Sequence, residues 1–174
     1  MGRLLLLRHS KTERGAAGGR DRDRKLTARG RADAPAIGAY MVRHRLLPDV
    51  ALVSPAVRAE ETFEMAAAEF KKQPRVVWEE RIYNASAETL LRLVCETGAA
   101  KTLLLVGHNP GLHDLALRLV ASGDTEMRER LNEKLPTSGL VVIDFAVDEW
   151  SLVHANTGRV EHFVSPRSIE AATD

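Results

Sequence analysis

The sequence predicts an α/β fold, a three-layer sandwich with a mostly parallel central sheet and helices on both faces. Three observations carry that expectation. Short uninterrupted apolar runs at residues 4–7, 50–53 and 103–106 have the character of strands buried on both faces. Each is followed by a polar turn and then by a stretch whose apolar residues recur at helical spacing, the alternation typical of parallel sheets. The chain has 174 residues, 44% of them hydrophobic, which suits one core.

In order, residues 4–7 are four leucines and form the first strand. The stretch 10–25, SKTERGAAGGRDRDRK, is polar and glycine-bearing; it predicts a mobile surface loop whose length suggests a function. Thr27 is the expected N-cap of a helix to about Arg43, with Ala32, Ala36, Ile37, Tyr40 and Met41 at helical spacing and a kink expected at Pro35. The second strand, residues 50–53, leads through Ser-Pro into a helix over 56–70, with Pro55 near its first position. A short strand at 76–78 precedes a helix over 87–96 capped by Ser86. The strand at 102–106, the turn GHNPG and a helix to about Val120 make the fourth cycle. Residues 140–145 and 150–155 read as strands of an antiparallel hairpin at a sheet edge. One domain over residues 1–164 and a frayed tail over 165–174 complete the organisation.

Composition narrows the function classes. With 25 basic and 24 acidic residues, the chain has no bulk field to draw it onto nucleic acid or a membrane, so anion recognition must be local. The single cysteine, Cys95, rules out an intrachain disulfide framework or thiolate cluster and favours a reducing, cytoplasmic setting. Its position on a helix face suggests a packed thiol. Trp78, Phe63, Phe70, Phe145 and Trp150 read as core or strand-face residues, since they lack the basic interleaving of a base-stacking platform. A monomer is the default for a small domain of this kind.

Chemistry gathers where strands end. In parallel α/β sheets ligands bind outside the carboxyl ends of the strands, where loops converge and helix N-termini point outward. Arg8 and His9 follow the first strand, Arg58 opens the helix after the second, and His108 follows the fourth. Two arginines and two histidines suit a phosphoryl group. The guanidinium fork matches phosphate oxygens, and one imidazole serves as an in-line nucleophile while the other holds a transferring oxygen. No cofactor is required, and no carboxylate-histidine metal set is evident. Taken singly, each residue also has an ordinary reading, for instance an Arg58–Glu61 pair along one helix face. Asn109, beside His108, is placed to orient that ring or touch a phosphate oxygen. Asp114 favours the helix dipole and His113 is expected to be exposed.

The segments LLLLRHSKTE, DRDRKLTARG, LVSPAVRAEETFEMA and LLLVGHNPGLHDLALRL resemble, in order and spacing, the histidine phosphatase superfamily with its phosphoglycerate-mutase-like fold, and most of all its short SixA-type phosphohistidine phosphatases. The resemblance runs from Arg3 to about Phe163. It implies that His9 is the phosphorylated nucleophile, Arg8 and Arg58 phosphate ligands, Thr62 the close of the Arg58 motif, and His108 the second histidine. It also implies that Arg24, in Asp23-Arg24-Lys25-Leu26-Thr27, reaches toward phosphate or substrate. Two positions depart from the pattern: Ser10 replaces the signature glycine, and Lys25 a proline. Serine is acceptable if the backbone there is ordinary and strained if φ is positive.

The family's general acid, a glutamate after the third strand, has no secure counterpart; Glu80 and Tyr83 are the nearest candidates. An alkoxide needs a placed proton donor on leaving, whereas imidazole leaves a phosphoramidate readily. The expectation is therefore a metal-independent phosphatase acting on phosphohistidine carried by a protein. Two alternatives stay open: a small-molecule phosphomonoesterase using Arg20, Arg22 and Arg24, and a phospho-binding module that has lost turnover.

Overall fold

The computed structural model describes residues 1–15 and 17–173, with only the backbone of Thr173. Its strands are β1 (Gly2–Arg8), β2 (Val50–Val53), β3 (Arg75–Trp78), β4 (Thr102–Gly107), β5 (Val120–Gly123), β6 (Leu140–Phe145) and β7 (Gly158–Val164). Its helices are α1 (Ala28–Arg43), α2 (Val57–Ala67), α3 (Ala87–Cys95), α4 (Gly111–Leu119), α5 (Thr125–Glu133) and α6 (Pro166–Thr173). The strands form one sheet in the order β3-β2-β4-β1-β6-β7-β5. β1 to β4 are mutually parallel, and β6 runs against both β1 and β7. The mostly parallel three-layer α/β architecture is therefore present.

β1 lies between β4 and β6, and its leucines divide by parity, as a strand's two-residue period requires. Leu4 and Leu6 join Leu103, Leu105, Val141 and Ile143 in the core beneath α3 and α4. Leu5 and Leu7 join Leu104, Val106, Leu140 and Val142 in the core beneath α1 and α2. All four leucines are fully buried. Each such burial is worth about 2 kcal/mol, so β1 is a rigid base for whatever stands at its end.

Thr27 caps α1 by accepting from the Gly30 amide at 3.0 Å, and Ser86 caps α3 through the Thr89 amide at 3.2 Å. α1 continues through Pro35 to Arg43 as one helix. It crosses α2 so closely that a Cβ on Gly38 would lie 2.2 Å from the Ala66 carbonyl oxygen. Alanine gains about 1 kcal/mol of helix propensity over glycine, but a methyl group inside a backbone contact forces the helices apart. Gly38→Ala is expected to lose about 2–3 kcal/mol in guanidinium unfolding; an unchanged midpoint would contradict this contact.

The C-terminal third differs from the sequence expectation. Residues 150–155 are not a strand: Trp150–Leu152 is a 3₁₀ turn, and the strand antiparallel to β6 is Gly158–Val164. The Trp150 indole is buried and donates to the Ala100 carbonyl at 2.8 Å, so its β-favouring side chain plugs the end of the core. Nor is the pair at an edge, because β5 lies outside β7. The expected frayed tail is helix α6 as far as Thr173, while Asp174 lies outside the described residues. His113 is half-buried rather than exposed, its Nε2 donating to the Leu131 carbonyl at 2.6 Å and tying α4 to the end of α5. Phe63, Phe70, Phe145 and Trp150 are core residues; Trp78 lies on edge strand β3, 49% exposed, with its ring edge-on to Phe63. Among the described residues no helix is long and apolar enough to cross a membrane.

Candidate active site

The carboxyl ends of β1, β2 and β4 bring Arg8, His9, Arg58 and His108 together. The His9 and His108 ring centroids are 5.3 Å apart. His9 is clamped through its backbone: its amide donates to the Gly107 carbonyl and its carbonyl accepts from the Ser138 amide, each at 3.1 Å. Its Nδ1 lies 2.8 Å from the Ser10 carbonyl oxygen. A carbonyl only accepts, so Nδ1 carries the proton, and the neutral ring keeps a bare lone pair on Nε2. Burial, with His108, Arg8 and Arg58 nearby, lowers the His9 pKa to about 3 despite the bond to Ser10. Burial and Arg58 lower His108 to about 4, with Asp21 opposing. Both imidazoles are therefore neutral near pH 7, the state in which an imidazole can act as a nucleophile.

Ser10 fits without strain. It is not among the residues of positive φ, so glycine's conformational freedom is not needed. The residue is fully buried, its amide donating to Thr62 Oγ1 at 2.8 Å and its hydroxyl accepting from Ser138 at 2.5 Å. Thr62 in turn donates to the Arg58 carbonyl at 2.7 Å. Thr62 thus joins the loop that follows His9 to the helix that carries Arg58.

Arg58 is buried in the first turn of α2, and its partner is not Glu61. Glu61 accepts from the Leu26 amide and from Arg31, while Arg58 donates to the Asp21 backbone carbonyl at 2.8 Å and to Asp21 Oδ2 at 3.1 Å. Asp21 Oδ2 also accepts from the Tyr83 hydroxyl at 2.5 Å, and Oδ1 from Arg24 at 2.8 Å. These bonds, Tyr83's first, hold the Asp21 carboxyl well below the usual carboxylate range. The loop that was expected to be mobile is folded over the site by these contacts, with a 3₁₀ turn at Asp21–Asp23; Ala16 within it lies outside the described residues. Arg24 thus touches Asp21 and the Glu13 carbonyl rather than either histidine.

The remaining candidates separate. Glu80 forms a two-point ion pair with Arg22 at the surface, which lowers its pKa and makes it a poor proton donor. Tyr83 lies inside the site, its ring 5.7 Å from His108 and beneath the Arg58 and Arg22 guanidiniums. The Asn109 side-chain nitrogen donates to the Leu135 carbonyl at 2.9 Å, an oxygen that also accepts from Arg8 at 3.1 Å. His108 Nε2 bonds the Ser54 hydroxyl at 2.7 Å. Three buried polar atoms of this cluster, Arg8 Nε, His108 Nδ1 and Asn109 Oδ1, have no hydrogen-bond partner. Unpaired polar atoms gathered at one place are the mark of a site that a polar ligand completes. Among the described residues, no group of three or more His, Cys, Asp or Glu is placed to hold a metal ion.

Residues 4–82 match the model of the histidine phosphatase superfamily (branch 1). An Agrobacterium tumefaciens protein provisionally assigned as phosphohistidine phosphatase SixA has a crystal structure 31% identical to this chain. It superposes with a TM-score of 0.81 over 95% of this chain and 98% of its own. This chain belongs to the histidine phosphatase superfamily, in its SixA-type branch. An uncharacterised Mycobacterium tuberculosis protein is likewise 31% identical over 150 residues, 84% of this chain and 92% of its own. The protein histidine phosphatase SixA complexed with tungstate shares the fold, with a TM-score of 0.71 at 19% identity over 96% of this chain and 99% of its own. The protein is a phosphatase by family, and this histidine phosphatase carries at its strand ends the residues named above.

The neutral rings give the phosphatase a pH signature. Both histidines titrate in the folded chain below their ordinary 6.5. As pH falls from about 6.5 toward 4, the unfolded chain takes up protons that the folded rings refuse, so stability falls with pH across that window. Above it neither state is charged and the rings contribute no pH dependence. His108→Asn is expected to lose stability less steeply than wild type between pH 6.5 and 4.5 in thermal melts; parallel slopes would remove the buried neutral ring.

Proposed function

We propose that this phosphatase hydrolyses phosphohistidine on a protein partner, through a phosphohistidine intermediate on His9 and without a metal, within a single domain over residues 1–164. The observation that carries the mechanism is the bond from His9 Nδ1 to the Ser10 carbonyl. It leaves the Nε2 lone pair free to attack phosphorus in line with the substrate nitrogen. The P–N bond of the substrate breaks, and the leaving imidazole departs neutral when its other nitrogen carries a proton. The phosphoryl group is then on His9 Nε2. Because the bond to the Ser10 carbonyl keeps a proton on His9 Nδ1, the phosphorylated ring is an imidazolium, itself a good leaving group. Water attacks phosphorus, the Nε2–P bond breaks, and one water proton passes to phosphate or solvent while the neutral ring returns.

Arg8 and Arg58 neutralise the non-bridging oxygens, and His108 takes up a proton beside the dianion and donates it as a hydrogen bond from Nδ1. Two guanidiniums supply the charge that a metal would otherwise bring. Two observations support the substrate class: the likeness to the provisionally assigned SixA protein, and the short connection between β3 and α3, residues 79–86, which adds no enclosing subdomain over this edge. A protruding side chain needs such an open approach. The Arg20–Arg24 loop gives less support to a metabolite site, since Arg22 is held by Glu80 and Arg24 by Asp21.

Turnover of free phosphohistidine and of p-nitrophenyl phosphate, both with EDTA present, tests this reading. Phosphohistidine is expected to be preferred by at least about tenfold in kcat/KM, because its leaving group needs no placed acid. Equal turnover of both would replace the reading with a general phosphomonoesterase, and loss of all activity in EDTA would remove its metal-free step.

A further inference from the structure

A second feature of the catalytic edge lies outside the phosphoryl site. β7 runs in the same direction as β1, because both are antiparallel to β6. The chain leaving β7 at Ser165 therefore emerges at the same edge of the sheet as the chain leaving β1 at His9. Between them, the first turn of α1, residues 134–137 and the start of α6 enclose a cleft of about 410 Å³.

Four basic residues line it: Lys11, Arg29, Lys134 and Arg167. Its one lining carboxylate, Asp33, is already met by Arg29 at 3.0 Å. Arg29 also reaches Glu170 of α6 at 3.7 Å, while Lys11, Lys134 and Arg167 form no ion pair among the described residues, so the rim keeps an excess of positive charge. The chain's formal net charge is only +1, which makes this excess local. Through shared walls at Lys134, Pro136 and Ser165 the cleft continues into a smaller one of about 150 Å³, bounded by Phe163 and Arg130 and carrying one acidic group, Glu133. The Arg130 guanidinium sits 5.4 Å from the Phe163 ring centroid. Together they make an elongated groove with basic rims and an apolar patch at one end. That shape and charge suit a peptide segment better than a compact metabolite.

The groove is joined to the phosphoryl site through the backbone. Lys11 is two residues beyond His9. Leu135, between Lys134 and Pro136, supplies the carbonyl that Arg8 and Asn109 both bind. We infer that this groove docks an acidic segment of the phosphorylated protein partner and so presents its phosphohistidine to His9. The inference rests on the protein-phosphohistidine reading and adds the surface that selects the partner.

The test uses three synthetic peptides of equal length, each with one central histidine flanked by Asp and Glu, by Ser and Gly, or by Lys and Arg. Fluorescein-labelled forms report binding by anisotropy, and forms phosphorylated with phosphoramidate report hydrolysis. The proteins are wild type and Lys134→Glu/Arg167→Glu, both substitutions of exposed side chains, with the Leu135 carbonyl beside Lys134 left in place for Arg8 and Asn109. Wild type is expected to bind the acidic peptide about tenfold more tightly than the Ser/Gly peptide at low salt, with the preference fading at high salt. The double variant is expected to lose that preference and raise KM for the acidic phosphopeptide by a similar factor, while its turnover of free phosphohistidine stays within about twofold of wild type. Equal binding of the acidic and Ser/Gly peptides by wild type, or an unchanged KM in the variant, overturns the docking groove. Failure to hydrolyse free phosphohistidine while p-nitrophenyl phosphate is turned over overturns the substrate reading instead, and anisotropy still decides the groove.

Discussion

His9→Ala is expected to lower kcat by about 10⁴-fold or more, for phosphohistidine and aryl phosphate alike, because it removes the nucleophile on which turnover of both substrates depends. A bystander on a strand end would not do this. His9 is 6% exposed, its Nδ1 is fixed to the Ser10 carbonyl, and its own backbone amide and carbonyl are held by Gly107 and Ser138, so Nε2 has one direction in which to act. Brief reaction with ³²P-labelled substrate and acid-free, denaturing capture is expected to label wild type and not the variant, with the alkali-stable, acid-labile behaviour of a phosphoramidate. A melting curve guards against misfolding, since the substitution empties a packed position. His9→Ala protein that melts cooperatively and keeps activity within tenfold of wild type would exclude a covalent intermediate on this residue.

Arg58→Ala is expected to cost about 10²–10³-fold in kcat/KM, comparable to removing one preorganised donor from the charge developing at a transition state. The buried guanidinium has a fixed orientation because α2 begins one residue earlier, and two of its donors already face the Asp21 carbonyl and carboxylate. Arg58→Lys is expected to recover little, since an ammonium offers a point charge where the site uses a planar fork. The Asp21 carboxylate keeps Tyr83 and Arg24 in the alanine variant, so the loop retains two of its anchors. Inorganic phosphate inhibition measured in parallel separates the causes. A weakened Ki together with a reduced kcat indicates direct contact with the phosphoryl group, and an unchanged Ki would assign Arg58 to holding the loop.

The four strand-end residues could be read from the sequence because local pattern determines their placement. Two arginines and two histidines directly following buried runs or opening the next helix have little freedom to be elsewhere once the sheet is parallel. Asp21 could not be read in this way. It is one of several alternating charges in DRDRK, and nothing in that string distinguishes the carboxylate that meets Arg58 from Asp23, two residues on. Its role depends on a loop path set by Tyr83, 62 residues away in sequence. Glu61 was a natural partner for Arg58 by helical spacing, yet the Leu26 amide and Arg31 hold it instead. The same limit explains the C-terminal third. Trp150 and Val153 look strand-like in composition but turn into the core, and β7 begins only after the turn that precedes Gly158. α5 buries only Leu131 and α6 is short, so neither carries the repeating apolar face by which helices are recognised from sequence.

The contact between Asp21 and Arg58 sets a threshold for admission. A group reaching Arg58 must compete with a carboxylate already seated there on three hydrogen-bond donors, one each from Arg58, Tyr83 and Arg24, and with the adjoining backbone carbonyl, which takes a second Arg58 donor. An aspartate or glutamate side chain brings the same charge and two oxygens, so it gains nothing by exchange. A phosphoryl dianion brings twice the charge and three non-bridging oxygens, and Arg8 and His108 stand ready with unmatched atoms. An enzyme whose surroundings gather acidic protein segments can in this way keep their carboxylates out of the one pocket where they would act as inhibitors.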